Sequence, residues 1–320
     1  MKRIFISITL LLCAAAAHAQ GYPNRAIRLV VPWPPGQATD LGGRLIAQKM
    51  SEYLGQPIVV DNRPGAGGTI GTDNAAKSPP DGYTILAASS GPATVSPLLQ
   101  KLPYDVEKQL LPVHLIGISP YLLVVAPTFP ANSAKELIDL IRANPGKYTF
   151  ASSGTGATAH LICEWFNSLA QLKAVHVPYK GSAQSLTDVM TGQVAYSTET
   201  LAATGPHVRA GKLKALGISM EKGSALAPGV LPLALAAGMP GFDVGAWLGL
   251  MVPAGTPKEI VARLATEAGK ALQNAEVQER LAGLGLELIP KGPEDFAAYL
   301  KGESARFAAI IKNGNIKLDP

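Results

Sequence analysis

The stretch from Leu29 to Asp40 limits the folds open to this chain more than any other. Leu29-Val30-Val31 is a valine-rich apolar run of the kind buried on both faces in a parallel sheet. It breaks into Pro32-Trp33-Pro34-Pro35-Gly36-Gln37-Ala38. Thr39 and Asp40 then open a pattern with Leu41, Leu45, Ile46 and Met50 at helical spacing, ending near Leu54-Gly55. Thr or Asp at such a boundary predicts an N-cap, because its side-chain oxygen accepts an unpaired backbone N–H. The same order of strand, turn and helix recurs in Tyr148-Thr149-Phe150-Ala151, Ser152-Ser153-Gly154-Thr155-Gly156 and Ala157 to Ala170. Each unit aims free N–H groups and the positive end of a helix dipole at its loop, which favours an anion. The central expectation is that these two loops face each other from two lobes and hold one small acidic ligand.

The remaining chain keeps the alternation. Strands are expected at Arg25–Val31, Pro57–Asp61, Tyr83–Ala88, Pro120–Ala126, 148–151, Val175–Tyr179, Val194–Ser197, Leu213–Ser219, Trp247–Pro253 and Leu286–Ile289. Helices are expected at Thr39–Leu54, Ile70–Lys77, Ser133–Ala143, Ala157–Ala170, Ser182–Met190, near Pro206, from Pro257, at Asn274–Leu284 and at Pro293–Ile311. Ser133-Ala134-Lys135-Glu136 is a capping box, and Thr256-Pro257-Lys258-Glu259 places Thr, Pro and Glu as a helix start prefers. Residues 220–245 show no clear period and read as a long surface connection. Such alternation predicts an α/β protein with a parallel sheet and helices on both faces.

Met1-Lys2-Arg3, the apolar run to Ala17 and Ala17-His18-Ala19 form a secretory signal with a small-residue cleavage site, giving 1–19 as signal peptide. Leu12 before Cys13 argues against a lipoprotein site. Cleavage leaves Cys163 as the single cysteine, so no intramolecular disulfide forms, and a buried apolar role is expected for it. Without Lys2 and Arg3, the 28 basic residues become 26 against 23 acidic, a balance of +3. No basic cluster carries interleaved aromatics, so nucleic acid is not an expected partner.

Catalytic and cofactor motifs are thin. Gly154-Thr155-Gly156-Ala157-Thr158-Ala159 matches a dinucleotide fingerprint, but Val175-His176-Val177-Pro178-Tyr179-Lys180, where the ribose-binding acid belongs, holds no acid. Gly65-Ala66-Gly67-Gly68 lacks the Lys-Ser/Thr of a P-loop and reads as a tight turn. No cofactor or metal is expected, since the histidines and acids lack ligand spacing. Ser152 or Ser153 could be assembled with His160, His176 or His207 into a nucleophilic group on paper. His160 stands four residues from Glu164 and reads as its partner. For Trp33, exposure to a cleft and burial both stay open; for Trp247, core packing is expected. Glu199 and Thr200 close a strand, where ligand-facing groups of α/β sheets sit, and a plain surface carboxylate is the rival reading for Glu199.

A series of motifs in order resembles the Bug-type periplasmic solute-binding proteins of tripartite tricarboxylate transporters. It runs from Tyr22-Pro23, Ile27 to Pro32, Pro34-Pro35-Gly36 and Thr39-Asp40 through Asp61-Asn62-Arg63-Pro64-Gly65-Ala66-Gly67-Gly68. Pro80-Asp81-Gly82-Tyr83-Thr84, Leu102-Pro103-Tyr104-Asp105, Ser153-Gly154-x-Gly156 and His160-Leu161 continue it. His176-Val177-Pro178-Tyr179-Lys180-Gly181, Pro206-His207 and Pro253-Ala254-Gly255-Thr256-Pro257 complete it. The resemblance covers the mature chain and implies a type II periplasmic-binding-protein fold, two Rossmann-like lobes joined by a two-segment hinge. Lobe 1 would comprise 20–122 and 248–320, and lobe 2 would comprise 123–247.

It also implies a ligand among di- and tricarboxylates, acidic amino acids, nicotinate-like compounds or aromatic carboxylates. The candidate contacts are Trp33, Pro34, Pro35, Gly36, Gln37, Ala38, Thr39, Asp40, Ser89, Ser90, Ser152, Ser153, Gly154, Thr155, Gly156, Ala157, Thr158, His160, Lys180, Glu199 and Thr200. In such proteins backbone N–H groups, hydroxyls and held waters bind the carboxylate without a required arginine. Departures fall at Gly36-Gln37, where the family usually has Gly-Gly, and at Thr198-Glu199-Thr200, where an aromatic, Asp and Asn are usual. Pro232-Leu233-Ala234-Leu235-Ala236-Ala237-Gly238 also loses two usual polar residues. The expected protein is a monomeric receptor in the periplasm of a Gram-negative bacterium, not an enzyme, handing its ligand to membrane permease subunits. An exported serine hydrolase and a ligand-sensing partner of a membrane sensor are the rival expectations.

Overall fold

The computed structural model describes residues 21–313 and 316, so the expected signal segment lies outside the described residues. The strands are β1 (Ile27–Val31), β2 (Ile58–Asn62), β3 (Thr84–Ser89), β4 (Leu110–Val125), β5 (Thr149–Ser152), β6 (Val175–Pro178), β7 (Tyr196–Thr200), β8 (Lys214–Ile218), β9 (Gly245–Pro253) and β10 (Glu287–Lys291). The helices are α1 (Ala38–Leu54), α2 (Thr69–Ala76), α3 (Ser96–Leu99), α4 (Val106–Gln109), α5 (Ala134–Arg142), α6 (Thr158–Leu169) and α7 (Ser182–Met190). They continue with α8 (Leu201–Arg209), α9 (Leu233–Ala236), α10 (Lys258–Gln273), α11 (Ala275–Gly283) and α12 (Pro293–Asn313).

The valine runs lie where a doubly covered sheet needs them. Ile27, Leu29 and Val31 turn one face of β1 toward Leu45, Ile46 and Met50 of α1 and Leu264, Ala268 and Leu272 of α10. Val30 turns the other way, toward Leu86, Trp247 and Phe296. The second lobe repeats this: Leu123, Val125 and Phe150 pack with Ile162 and Phe166, while Leu122, Val124 and Ala151 pack with Leu186 and Val189. Gly55 ends α1 in the left-handed conformation, its N–H bonding the Ser51 carbonyl.

The sheet is mixed rather than all parallel. β2, β1 and β3 run parallel, as do β7, β5 and β6. Between them β9 and β4 are antiparallel to each other and to their outer neighbours β3 and β7. β4 is also far longer than the strand expected from Pro120. Its first part pairs with β9 and β10, and its last part, from Tyr121, with β7 and β8. Pro112 is accommodated because the register shifts directly after it, and Pro120 falls opposite Gly245 where β4 changes partners. β4 and β9 therefore lie side by side where the chain passes between lobes.

Two further differences concern the last hundred residues. The segment 220–245 is no simple surface connection, since it forms α9, buries Leu233 and stacks Phe242 on Trp165 at 4.2 Å between centroids. The final helix α12 starts in the first core with Phe296 and ends among second-lobe side chains with Phe307 and Ile310, packing on β4 and α6.

Candidate functional site

Both helix starts singled out in the sequence lack a side-chain cap. The N-cap of α1 is Gln37, extended at φ −77° and ψ 160°, with no cap hydrogen bond from its side chain. Thr39 and Asp40 fall inside the first turn instead. Asp40 is turned back into the protein: its carboxylate accepts from the Gly36 N–H (2.9 Å), Asn62 Nδ2 (2.8 Å) and Arg44 Nε (2.9 Å). Burial pushes its pKa up, but the bonds from Arg44, Asn62 and Gly36 outweigh that and hold it below the ordinary carboxylate value. Asp40 thus fixes the loop rather than facing a ligand.

The N-cap of α6 is Ala157, whose side chain has nothing to offer, and the turn before it docks on the first lobe. Ser96 Oγ donates to the Gly156 carbonyl at 3.2 Å, and Ser90 Oγ lies 2.9 Å from Thr158 Oγ1. Gly67, at φ +63°, sits so close that a Cβ there would come within 2.9 Å of the Thr155 carbonyl oxygen and 3.3 Å of Ala157 N. The glycine turn is therefore a backbone requirement, as read from the sequence, and also the place where the lobes touch. Gly154, Thr155, Gly156 and Ala157 make this contact from the other side.

His160 and His176 brace that turn from behind. Their rings stack at 3.8 Å, the Gly156 N–H points to His160 Nδ1 at 3.4 Å, and Glu164 lies 3.6 Å from His160 Nε2. Ser152 Oγ is 2.7 Å from His176 Nε2, a pairing that looks nucleophilic. Ser152 is fully buried, also bonds within its own turn to Gly154, and the ring against His176 is another imidazole rather than a carboxylate. Desolvation, and then His160, push the His176 pKa down to about 3. The pair has the surroundings of a structural bond.

Between the two helix starts lies a cleft of about 40 Å³. Trp33, Gln37, Ala38, Thr39, Ser89 and Ser90 border it from the first lobe, and Ser153, Thr158, Glu199 and Thr200 from the second. Trp33 is both buried and at the cleft, its Nε1–H donating to Ser89 Oγ at 2.9 Å. Thr200 caps α8 through the Ala203 N–H. Pro34, Pro35, Gly36 and the exposed Lys180 line a separate outer chamber.

Glu199 is not a surface group. It is 1 % exposed, accepts from Ser182 Oγ at 2.7 Å and from Ser185 Oγ at 3.3 Å, and burial pushes its pKa up to about 7 against the pull of those hydroxyls. It therefore keeps its proton to a higher pH than an ordinary carboxylate does. Sequence reasoning missed Tyr121 and Ser182, which also border the cleft, and placed Trp247 in the core only. Trp247 is buried, yet its Nε1 and Gln37 Nε2 are buried donors without partners among the described residues, and both residues line the cleft. Buried donors are normally paired, so these two stand out among the groups around the cleft. A larger cavity of about 650 Å³ lies near Leu98, Tyr104 and Leu300, but no long helix starts there.

The model of the tripartite tricarboxylate transporter family receptor matches residues 43–316. BugT of Bordetella pertussis is 38 % identical over 307 residues, covering 95 % of this chain and 94 % of the relative. Among solved structures, Rpa4515 of R. palustris with adipate is similar at TM-score 0.89 and 33 % identity, over 93 % of this chain and 99 % of that one. The periplasmic binding protein BugD superposes at TM-score 0.87 with 32 % identity, covering 92 % and 99 %. MatC from Rhodopseudomonas palustris with bound malate gives TM-score 0.86 and 33 % identity, covering 91 % and 100 %.

Proposed function

The chain belongs to the tripartite tricarboxylate transporter receptor family, and from that membership we propose that it captures a small carboxylate between its lobes and delivers it to a membrane permease. One observation carries the reading: two helix starts without side-chain caps, α1 and α6, reach a single cleft from opposite lobes. N–H groups there, with the hydroxyls of Thr39, Ser90, Ser153 and Thr158, suit a carboxylate head without a cationic side chain. The adipate and malate held by two similar proteins are ligands of this class.

The mechanism is closure about the adjacent strands β4 and β9. A ligand touching both lobes binds the closed arrangement better than the open one, and that difference shifts the population toward closure. Contacts such as Ser90 with Thr158 and Gly67 with Thr155 add to the closed side. No covalent step is involved. We take 20–122 with 248–320 as one lobe and 123–247 as the other, with α12 bridging them. The exported protein acts as a periplasmic monomer without a cofactor.

A thermal-shift screen over mono-, di-, tri- and aromatic carboxylates tests this. A ligand at a hundredfold excess over its Kd raises apparent stability by about 2.7 kcal/mol. Thr39→Ala and Ser153→Ala should each weaken binding about tenfold or more while leaving the unliganded fold intact. Unchanged affinity in both variants rejects the site, and turnover of a generic ester would support the hydrolase reading instead.

A further inference from the structure

Gln37 stands where two spaces meet. The central cleft of about 40 Å³ and an outer chamber of about 420 Å³ share Gln37 and Ser182 as wall residues. At the roughly 10–15 Å³ that one water needs on the same measure, the inner space takes about three water-sized groups, enough for a carboxylate head and not for a carbon chain behind it. The outer chamber is walled by apolar groups of Pro34, Leu41, Leu186 and Pro206, its basic residues are Lys180 and His207, and none of its lining residues is acidic.

The amide of Gln37 lies across Gly181 of the opposite lobe, where an added Cβ would come 2.6 Å from Nε2 and 3.3 Å from the Pro34 ring. Gly181 has an extended backbone (φ 163°) that other residues adopt as well, so what its missing side chain provides is room for Gln37. Nε2 is nonetheless buried without a hydrogen-bond partner. A side chain held by packing alone, with an unsatisfied donor, is the part of the wall that moves at least cost.

We propose that Gln37 is a movable partition that sets ligand length, and that the ligand is an elongated dicarboxylate. One carboxylate sits at the starts of α1 and α6, the carbon chain passes where the Gln37 side chain now lies, and the second carboxylate meets Lys180 in the outer chamber. This rests on the carboxylate reading above and names its ligand class.

Calorimetry on the mature chain with succinate, suberate and octanoate tests it, using wild type, Gln37→Gly and Lys180→Met. Glycine is acceptable at a helix N-cap, so Gln37→Gly should fold, as circular dichroism would verify. Wild type should bind suberate more tightly than succinate. Gln37→Gly should widen that preference at least tenfold, within the roughly fourfold per methylene that full burial allows. Lys180→Met should weaken suberate about tenfold more than octanoate, which has no second carboxylate. Equal changes for succinate and suberate in Gln37→Gly, or equal changes for suberate and octanoate in Lys180→Met, overturn the partition and leave the carboxylate reading standing. Binding of none of the three probes overturns both.

Discussion

Replacing Glu199 with glutamine should remove a large pH dependence from the stability of this protein. The Glu199 carboxyl is buried against Ser182 and Ser185, and its pKa stands at about 7 rather than 4.5, chiefly through desolvation. The folded state therefore keeps a proton that the unfolded chain has released. An acid with a raised folded pKa stabilises the fold at low pH and loses that contribution as pH rises from about 4.5 through 7. At about 1.36 kcal/mol per pKa unit the whole effect is roughly 3 kcal/mol, of which roughly 2–3 kcal/mol is lost between pH 5 and pH 8. Glutamine has nearly the same shape, stays neutral throughout and can still bond both serine hydroxyls. Urea unfolding of wild type and Glu199→Gln at the two pH values isolates the group, because every other titration is common to both proteins. Wild type should lose 2–3 kcal/mol more than the variant on going to pH 8, an estimate that rests on linkage alone. Parallel losses would refute the claim that Glu199 is desolvated and holds its proton near neutrality.

Asp40→Ala should destabilise the protein by about 2–3 kcal/mol at pH 7 in denaturant titration, since the Gly36 N–H loses its acceptor and Arg44 and Asn62 each lose one of theirs. The lowered Asp40 pKa gives the opposite pH sign to Glu199: its contribution is present above the ordinary aspartate value and lost as pH falls through the folded one. Gly67→Ala should disfavour contact between the lobes at Thr155, weakening ligand binding at least fivefold and enlarging the radius of gyration in small-angle scattering. Cys163, buried and with its thiol pushed up to about 12 by desolvation, should resist alkylation in the native protein and react only after denaturation.

What could be read from residue order was whatever depends on local rules. The valine run of β1, the glycine at the end of α1 and the Ser133 cap of α5, whose Oγ accepts from the Glu136 N–H at 3.1 Å, all follow from nearest neighbours along the chain. The extent of β4 does not, because Pro112 and Pro120 signal breaks that only pairing with β9 overrides. Thr39 and Asp40 have the composition of caps, yet Asp40 is claimed by Asn62 and Arg44, so the cap falls to Gln37. The burial of Glu199 was out of reach for the same reason. It depends on Ser182 and Ser185, which come from another element and have no sequence link to it. The strand–turn–helix units that bring α1 and α6 to the cleft were legible because each announces itself locally. The identity of the groups around the rest of the cleft is a tertiary matter.

The last helix has a mechanical meaning. Its 21 residues make a rod about 32 Å long, at 1.5 Å per residue. One end is anchored by Phe296 and the other by Phe307 and Ile310 among side chains of the other half. Such a rod ties the two halves to one another, and lifting either far-end side chain out of its seat would cost about 1.5–3 kcal/mol. The last helix is thus a brace across a junction that the sheet itself spans through β4 and β9.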